Sequence, residues 1–159
     1  MKQNNITRLL DVHNIQYQAF DLPTEKISAL ETAELLGVPP EQVFKTIVVT
    51  RLSRGKPILA LVPAVSEVDL KSLAKVVGEK KLSIATQRQA EQLTGLKTGG
   101  ISPLAMLNRG FQVVIDASSD RFNQVHISAG QIGLNIRLPT SALIELTKAE
   151  VANICKQIG

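Results

Sequence analysis

The 159-residue chain has one cysteine, no tryptophan, one tyrosine and two histidines. Each shortage removes a class of chemistry. A lone Cys155 forbids an internal disulfide and fits a reducing compartment. It follows Val151 and Ile154 at helical spacing, which reads as a small core residue of a last helix rather than a reactive thiol. His13 and His126 are far apart, and no Cys/His cluster accompanies them, so no metal site is legible. No nucleophile elbow, Walker A loop or dinucleotide fingerprint is present. An aromatic share of 3% is too small for a binder that stacks bases along a single strand. No apolar stretch approaches the ~20 residues that cross a bilayer. Met1-Lys2-Gln3-Asn4-Asn5 leads into no apolar secretion signal. The expectation is a cytoplasmic protein with no membrane partner and no cofactor.

What is present is ordinary globular composition, 44% hydrophobic and 20% charged, in a length that suits one domain over residues 1–159. The net charge is +4, from 18 basic and 14 acidic side chains. Lys71, Lys75, Lys80, Lys81 and Arg88 fall within one stretch. They are either a solvated helix face or a landing strip for a nucleic-acid backbone.

Caps and periodicity predict the elements. Asn4 or Asn5 caps a helix to about His13, and Ser28 opens another that Gly37 ends. Asp69 and Thr86 cap two more, closed by Gly78 and Gly95. Strands are expected at 17–20, 43–50, 57–63, 81–84, 112–116, 124–128 and 134–138. Residues 43–50 and 57–63 form an antiparallel hairpin about Ser53-Arg54-Gly55-Lys56. The last three strands are expected to be mutually antiparallel. Two helices close the chain, the second from about 148 to 157. The fold class is α+β with a mixed, strongly twisted sheet.

Two features carry chemistry. Lys45 sits in Phe44-Lys45-Thr46-Ile47-Val48-Val49, an apolar run read as a central strand. On an edge strand a lysine guards against aggregation; on a central one its partly desolvated ammonium can hold an anion or act as a base. The loop Gly99-Gly100-Ile101-Ser102-Pro103 has more glycine than a plain turn needs, and it can bring bare N–H groups to a carbonyl oxygen or phosphate. Ser128-Ala129-Gly130 is a second small-residue loop, either a hairpin connection or the opposite wall of the same pocket.

These segments resemble the YbaK/ProX/EbsC-type aminoacyl-tRNA deacylases. The resemblance rests on Phe44-Lys45-Thr46, on 65–71 with Ala74-Lys75-Val76-Val77-Gly78, on 99–104 and on 128–130, in family order over nearly the whole chain. It is nearest the free-standing YbaK branch. It implies a barrel-like sheet surrounded by helices and a trans-editing enzyme that releases a wrongly attached amino acid, with Cys on proline tRNA as leading substrate. It gives Lys45, Gly100 and Ile101 catalytic roles: the amine orients the carbonyl or terminal ribose, and the two N–H groups hold an oxyanion. Phe20, Thr46, Gly99, Ser102, Pro103, Ser128, Ala129, Gly130 and Asn135 would bind substrate, and the basic stretch would bind tRNA. Prolyl-tRNA synthetase is an implied partner. The chain departs from the family where YbaK-like members often carry Tyr (Phe20), Gly (Ala105 and Ala129) and Asp (Asn135). The attacking group is either the substrate's own thiol, leaving as a thiolactone, or a water held by the terminal ribose. Two other readings stand beside this one: a non-catalytic module that binds tRNA or a synthetase, and a small-molecule pocket unrelated to tRNA.

Overall fold

The computed structural model describes residues 4–25 and 27–157. In order these form α1 (Asn5–Val12), β1 (Gln18–Asp21), α2 (Ala29–Leu36), β2 (Phe44–Arg51), β3 (Ile58–Pro63), β4 (Ser66–Val68) and α3 (Leu70–Val77). They continue with β5 (Leu82–Ile84), α4 (Gln87–Thr94), β6 (Gln112–Asp116), β7 (Gln124–Ser128), β8 (Leu134–Pro139), α5 (Thr140–Thr147), β9 (Glu150–Ala152) and β10 (Cys155–Gln157). The expected α+β class holds. No helix among the described residues is long and apolar enough to cross a membrane.

The first four helices start and stop on local chemistry. The Asn4 side chain accepts from the N–H groups of Ile6 and Thr7, while Thr7 Oγ1 accepts from the Asn4 N–H. Ser28 with Glu31 and Thr86 with Gln89 repeat this reciprocal cap, which satisfies donors that a helix start leaves unpaired. Asp69 caps α3 through Lys71 and Ser72. Gly37, Gly78 and Gly95 close their helices in the left-handed region.

Sheet order is β5-β2-β3-β6-β9 in one five-stranded array, β1-β8-β7 in a second, and β10-β4 as a pair. β2 and β3 are the expected antiparallel hairpin, in register from Phe44 opposite Pro63 to Val49 opposite Ile58. A parallel bridge from Val43 to His126 joins the two larger sheets edge to edge. The main core lies between them, with Leu59, Leu61, Val113 and Ile115 packed against Val125, Ile127, Ile136 and Leu138. A second cluster fills the other face of the five-stranded sheet, where Val49, Ile58, Ala60 and Val62 meet Leu73 and Ala74 of α3. β3 is therefore buried along its whole length, which is why its sequence reads as an unbroken apolar run.

Two expectations fail. Of the last three expected strands, only β7 and β8 are antiparallel to each other. β6 lies in the other sheet, parallel to β3 and β9, because the 3-10 turn Ala117–Arg121 carries the chain from one sheet to the next. The last expected helix does not exist. Residues 150–152 instead pair with the free edge of β6, and 155–157 pair with β4, Cys155 opposite Val68. Cys155 is half-buried, not a core residue of a helix.

Buried Asp116 enforces this ending. Its Oδ1 accepts from the Ile154 N–H at 3.0 Å, and its Oδ2 from the Ser118 N–H at 3.1 Å. Burial pushes the carboxyl pKa up, but the hydrogen bonds from Ser118 and Ile154 outweigh it and hold the group below its ordinary value. Asp116→Ala is expected to lower the unfolding free energy by about 3 kcal/mol in urea titrations, since bonds to a charged acceptor are each worth ~1.5–3 kcal/mol. The native carboxyl pKa is depressed, so this stability is complete above the unfolded value. The difference between wild type and variant should shrink as pH falls below about 4.

Candidate active site

A cavity of about 200 Å³ runs along β2. It exists because β5 pairs only with Val49–Arg51 and leaves the earlier part of that edge of β2 open. Phe44, Lys45, Thr46 and Ile47 all line it, which four consecutive strand residues can do only from an edge. Val48 uses its carbonyl on this edge, accepting from Ala85 N–H. Thr46, two residues back, therefore turns its own N–H and C=O the same way. The opposite wall is Thr98, Gly99 and Ile101 with Ser128 and 132–135; the segment between β1 and α2 supplies Leu22, Pro23 and Glu25, with Thr32 from α2 itself.

Lys45 is half-buried, and among the described residues no carboxylate lies within ion-pair distance of it, the only ion pair there being Arg51 with Glu79. Burial pulls its pKa below the ordinary lysine value, and the more distant Glu67 opposes that pull. Lys45 and Ile47 also line a second, more open cavity of about 680 Å³ on the α3 side, shared with Glu67, Asp69, Lys71, Ile84 and Lys156. Lys45 thus sits where two cavities meet.

The two small-residue loops touch each other. Ser128 Oγ donates to the Gly99 carbonyl at 3.0 Å. A Cβ on Gly100 would lie 2.7 Å from the Gln131 carbonyl carbon, so only glycine lets the backbones approach this closely. The Gly100 N–H closes a turn onto Lys97 O at 2.9 Å. In this conformation that expected donor is occupied and does not face the cavity. The next N–H, on Ile101, donates to no acceptor among the described residues, and Ile101 lines the cavity.

Several expected substrate contacts serve the loops instead. Ser102 Oγ caps the turn Pro103–Met106 by accepting from the Leu104 N–H, and Ser102 and Pro103 are buried behind the loop. The Ala129 carbonyl accepts from Asn4 Nδ2 at 2.7 Å. Gly130 lies against Ile6, 2.9 Å from where a Cβ would stand. Both face α1 rather than the cavity, whose lining holds Thr46, Gly99, Ser128 and Asn135 of the expected set. Phe20 stands behind Asn135, its opposite number in the β1–β8 register.

Lys71, Lys75, Lys80, Lys81 and Arg88 are all exposed. Of these Lys71 reaches the second cavity. Sequence reasoning passed over three residues. Thr98 lines the first cavity and is held to α4 by its N–H, which donates to Glu91 Oε2 at 2.8 Å. Lys156 was hidden in the misread helix. His126 carried no signal of its depth, since alternation alone puts it on the side of β7 away from the main core.

The comparisons with known proteins agree with this architecture. The aminoacyl-tRNA editing domain family matches residues 24–146, and the chain belongs to it. It is 31% identical over 155 residues to EbsC of Enterococcus faecalis, described as a candidate Cys-tRNA(Pro)/Cys-tRNA(Cys) deacylase, covering 96% of this chain and 93% of that one. It is 25% identical over 123 residues to the multifunctional Ser/Thr-tRNA deacylase ProXp-y of Escherichia coli K12, covering 76% of this chain and 74% of that one. A solved structure described as a candidate trans-editing enzyme for prolyl-tRNA synthetase shares the fold over the full length of both chains, with a TM-score of 0.80 at 23% identity.

Gly100→Ala tests the loop contact. Its Cβ must drive the 99–103 loop off the backbone of Gln131 and Ile132. The expected loss is about 1–3 kcal/mol, read as a lower melting temperature.

Proposed function

We propose that the chain is a trans-editing deacylase that releases a mischarged amino acid from tRNA, with Cys-tRNA(Pro) as its foremost substrate. One observation carries this reading: an ammonium without a carboxylate partner and a free backbone donor, at Lys45 and Ile101, line one cavity of about 200 Å³. That volume suits a small amino acid and the ester joining it to the ribose. The resemblance to EbsC over almost all of both chains favours cysteine.

The chemistry asks little of the protein. An aminoacyl ester is already activated, so catalysis consists of placing it and stabilising the oxyanion that attack creates. Donors already aimed at that oxygen lower the barrier, each by about 3 kcal/mol where one has been removed from other enzymes. Ile101 N–H fills this role from the loop, and Thr46 N–H from the open strand edge. The Lys45 ammonium orients the carbonyl or the terminal ribose. Where the side chain has no thiol, a water held by the terminal ribose attacks; for cysteine the attacking group is the substrate's own thiol. Its sulfur bonds to the carbonyl carbon, the bond to the ribose oxygen breaks, and the thiol proton passes to that oxygen, leaving a thiolactone and a free tRNA end. The exposed cations from Lys71 to Arg88 hold the RNA backbone, and prolyl-tRNA synthetase delivers the mischarged product.

The test is a release assay on Cys-, Ser- and Ala-charged proline tRNA, with and without the synthetase. Release of cysteine with thiolactone as product is expected; salt-sensitive RNA binding with no release from any of the three would reduce the chain to a binding module. Lys45→Ala should lower kcat/KM by about a hundredfold or more without lowering the melting temperature, because it removes a desolvated charge that has no partner. Since burial lowers the Lys45 pKa, the ammonium is lost before the ordinary lysine value of about 10.4 is reached. Wild-type activity should therefore decline at a lower alkaline pH than that value. Replacing Lys71 and Lys75 together should flatten the dependence of log affinity on log salt by about 1.4, at ~0.7 per phosphate contact on single-stranded RNA.

A further inference from the structure

Asn135 is held from behind. Its Oδ1 lies 3.0 Å from His126 Nδ1. Asn135 is 3% exposed and His126 is 0% exposed. The carboxamide nitrogen has no partner among the described residues, yet it is not among the sealed, unpartnered polar atoms. The open space beside it is the cavity that Asn135 lines.

The tautomer follows from these facts. A carboxamide oxygen only accepts, so the proton of this bond sits on His126 Nδ1. His126 Nε2, buried with no partner among the described residues, then carries a lone pair. The opposite assignment would strand an N–H donor in the interior, the costlier of the two orphans. Burial keeps the imidazole neutral against the pull of the Asn135 bond, and the nearby Arg137 guanidinium adds to that effect. The Phe20 ring centroid lies 5.5 Å from that of the imidazole, and the Arg137 guanidinium lies over the same Phe20 ring, 5.8 Å from its centroid. The pair is thus packed against side chains of its own sheet face.

We propose that His126 is a positioning residue: by holding Asn135 Oδ1 it fixes the carboxamide with its NH2 turned into the cavity, which then favours amino acids carrying oxygen or sulfur on Cβ. This rests on the reading under Proposed function. An oxygen or sulfur on the substrate's Cβ accepts from the Asn135 NH2. Alanine leaves that donor unpaired, and a site built to hydrogen-bond rejects the analogue that cannot.

Two measurements decide it. The first needs no activity: the ¹⁵N spectrum of the wild-type imidazoles at neutral pH should show His126 protonated on Nδ1 with a bare Nε2. A proton on Nε2, or on both nitrogens, would overturn the proposal. The second compares kcat/KM for Cys-, Ser- and Ala-charged proline tRNA. His126→Phe keeps a flat ring but loses the N–H; the ratio of Cys or Ser over Ala should fall three- to tenfold, the range of one neutral hydrogen bond, with the Ala value unmoved. His126→Gln, which keeps a donor, should recover part of the ratio. Asn135→Leu removes the donor at similar size and should lower the ratio even if the His126 variants fail to fold. An unchanged ratio, or equal loss on all three substrates, would contradict it. The Ser and Cys arms separate oxygen from sulfur. A wild type that releases nothing would sink the editing reading on its own, and the spectrum would still decide whether the carboxamide is held.

Discussion

The site depends on an unfinished strand pairing. β5 covers only the last three residues of β2, and the bridge at Val43 is the next pairing on that edge. Between the two, the strand offers backbone and side chains of both parities to a space the size of a small substrate. An edge within a sheet usually invites another strand. Here the β1–α2 segment and the two small-residue loops close round it and leave a pocket.

The opposite wall is held by close packing. Gly100 lies on the backbone of Gln131 and Ile132, and Ser128 bonds to Gly99. The two loops act as one piece, itself braced by α1 through Asn4 and Ile6. This explains why the small residues are there. Gly100 and Gly130 make room for contacts between loops and helix, and the N–H left without an acceptor among the described residues is that of the bulky Ile101.

Electrostatics separates two kinds of buried charge. Asp116 is satisfied by N–H donors and serves the fold. Lys45 is half-buried and has no ion-pair partner among the described residues, a state that stability alone would not select. It stands between a smaller cavity and a larger, more open one that Glu67, Asp69, Lys71 and Lys156 share.

Local chemistry was legible from end to end. Reciprocal caps at Asn4, Ser28 and Thr86 and left-handed glycines at 37, 78 and 95 act within a few residues, so the sequence shows them directly. The buried hairpin, Lys45 and the glycine loop were legible for the same reason. Residues 148–157 were not, because Val151, Ile154 and Cys155 have helical spacing, while the hydrogen bonds that hold them extended come from β6, β4 and Asp116, at least 34 positions away. The division of labour within the glycine loop was also out of reach, since it turns on where the Lys97 carbonyl and the Gln131 backbone lie. His126 shows the limit most clearly: its depth and its hydrogen bond with Asn135 exist only once β7 and β8 are paired. By itself the sequence determined the helix ends, the central hairpin and the residue types available for chemistry, because those follow from neighbours along the chain. Tertiary structure alone decided which donor is free and which side chain holds which, because hydrogen bonds and exclusion of water depend on distances between segments remote in sequence.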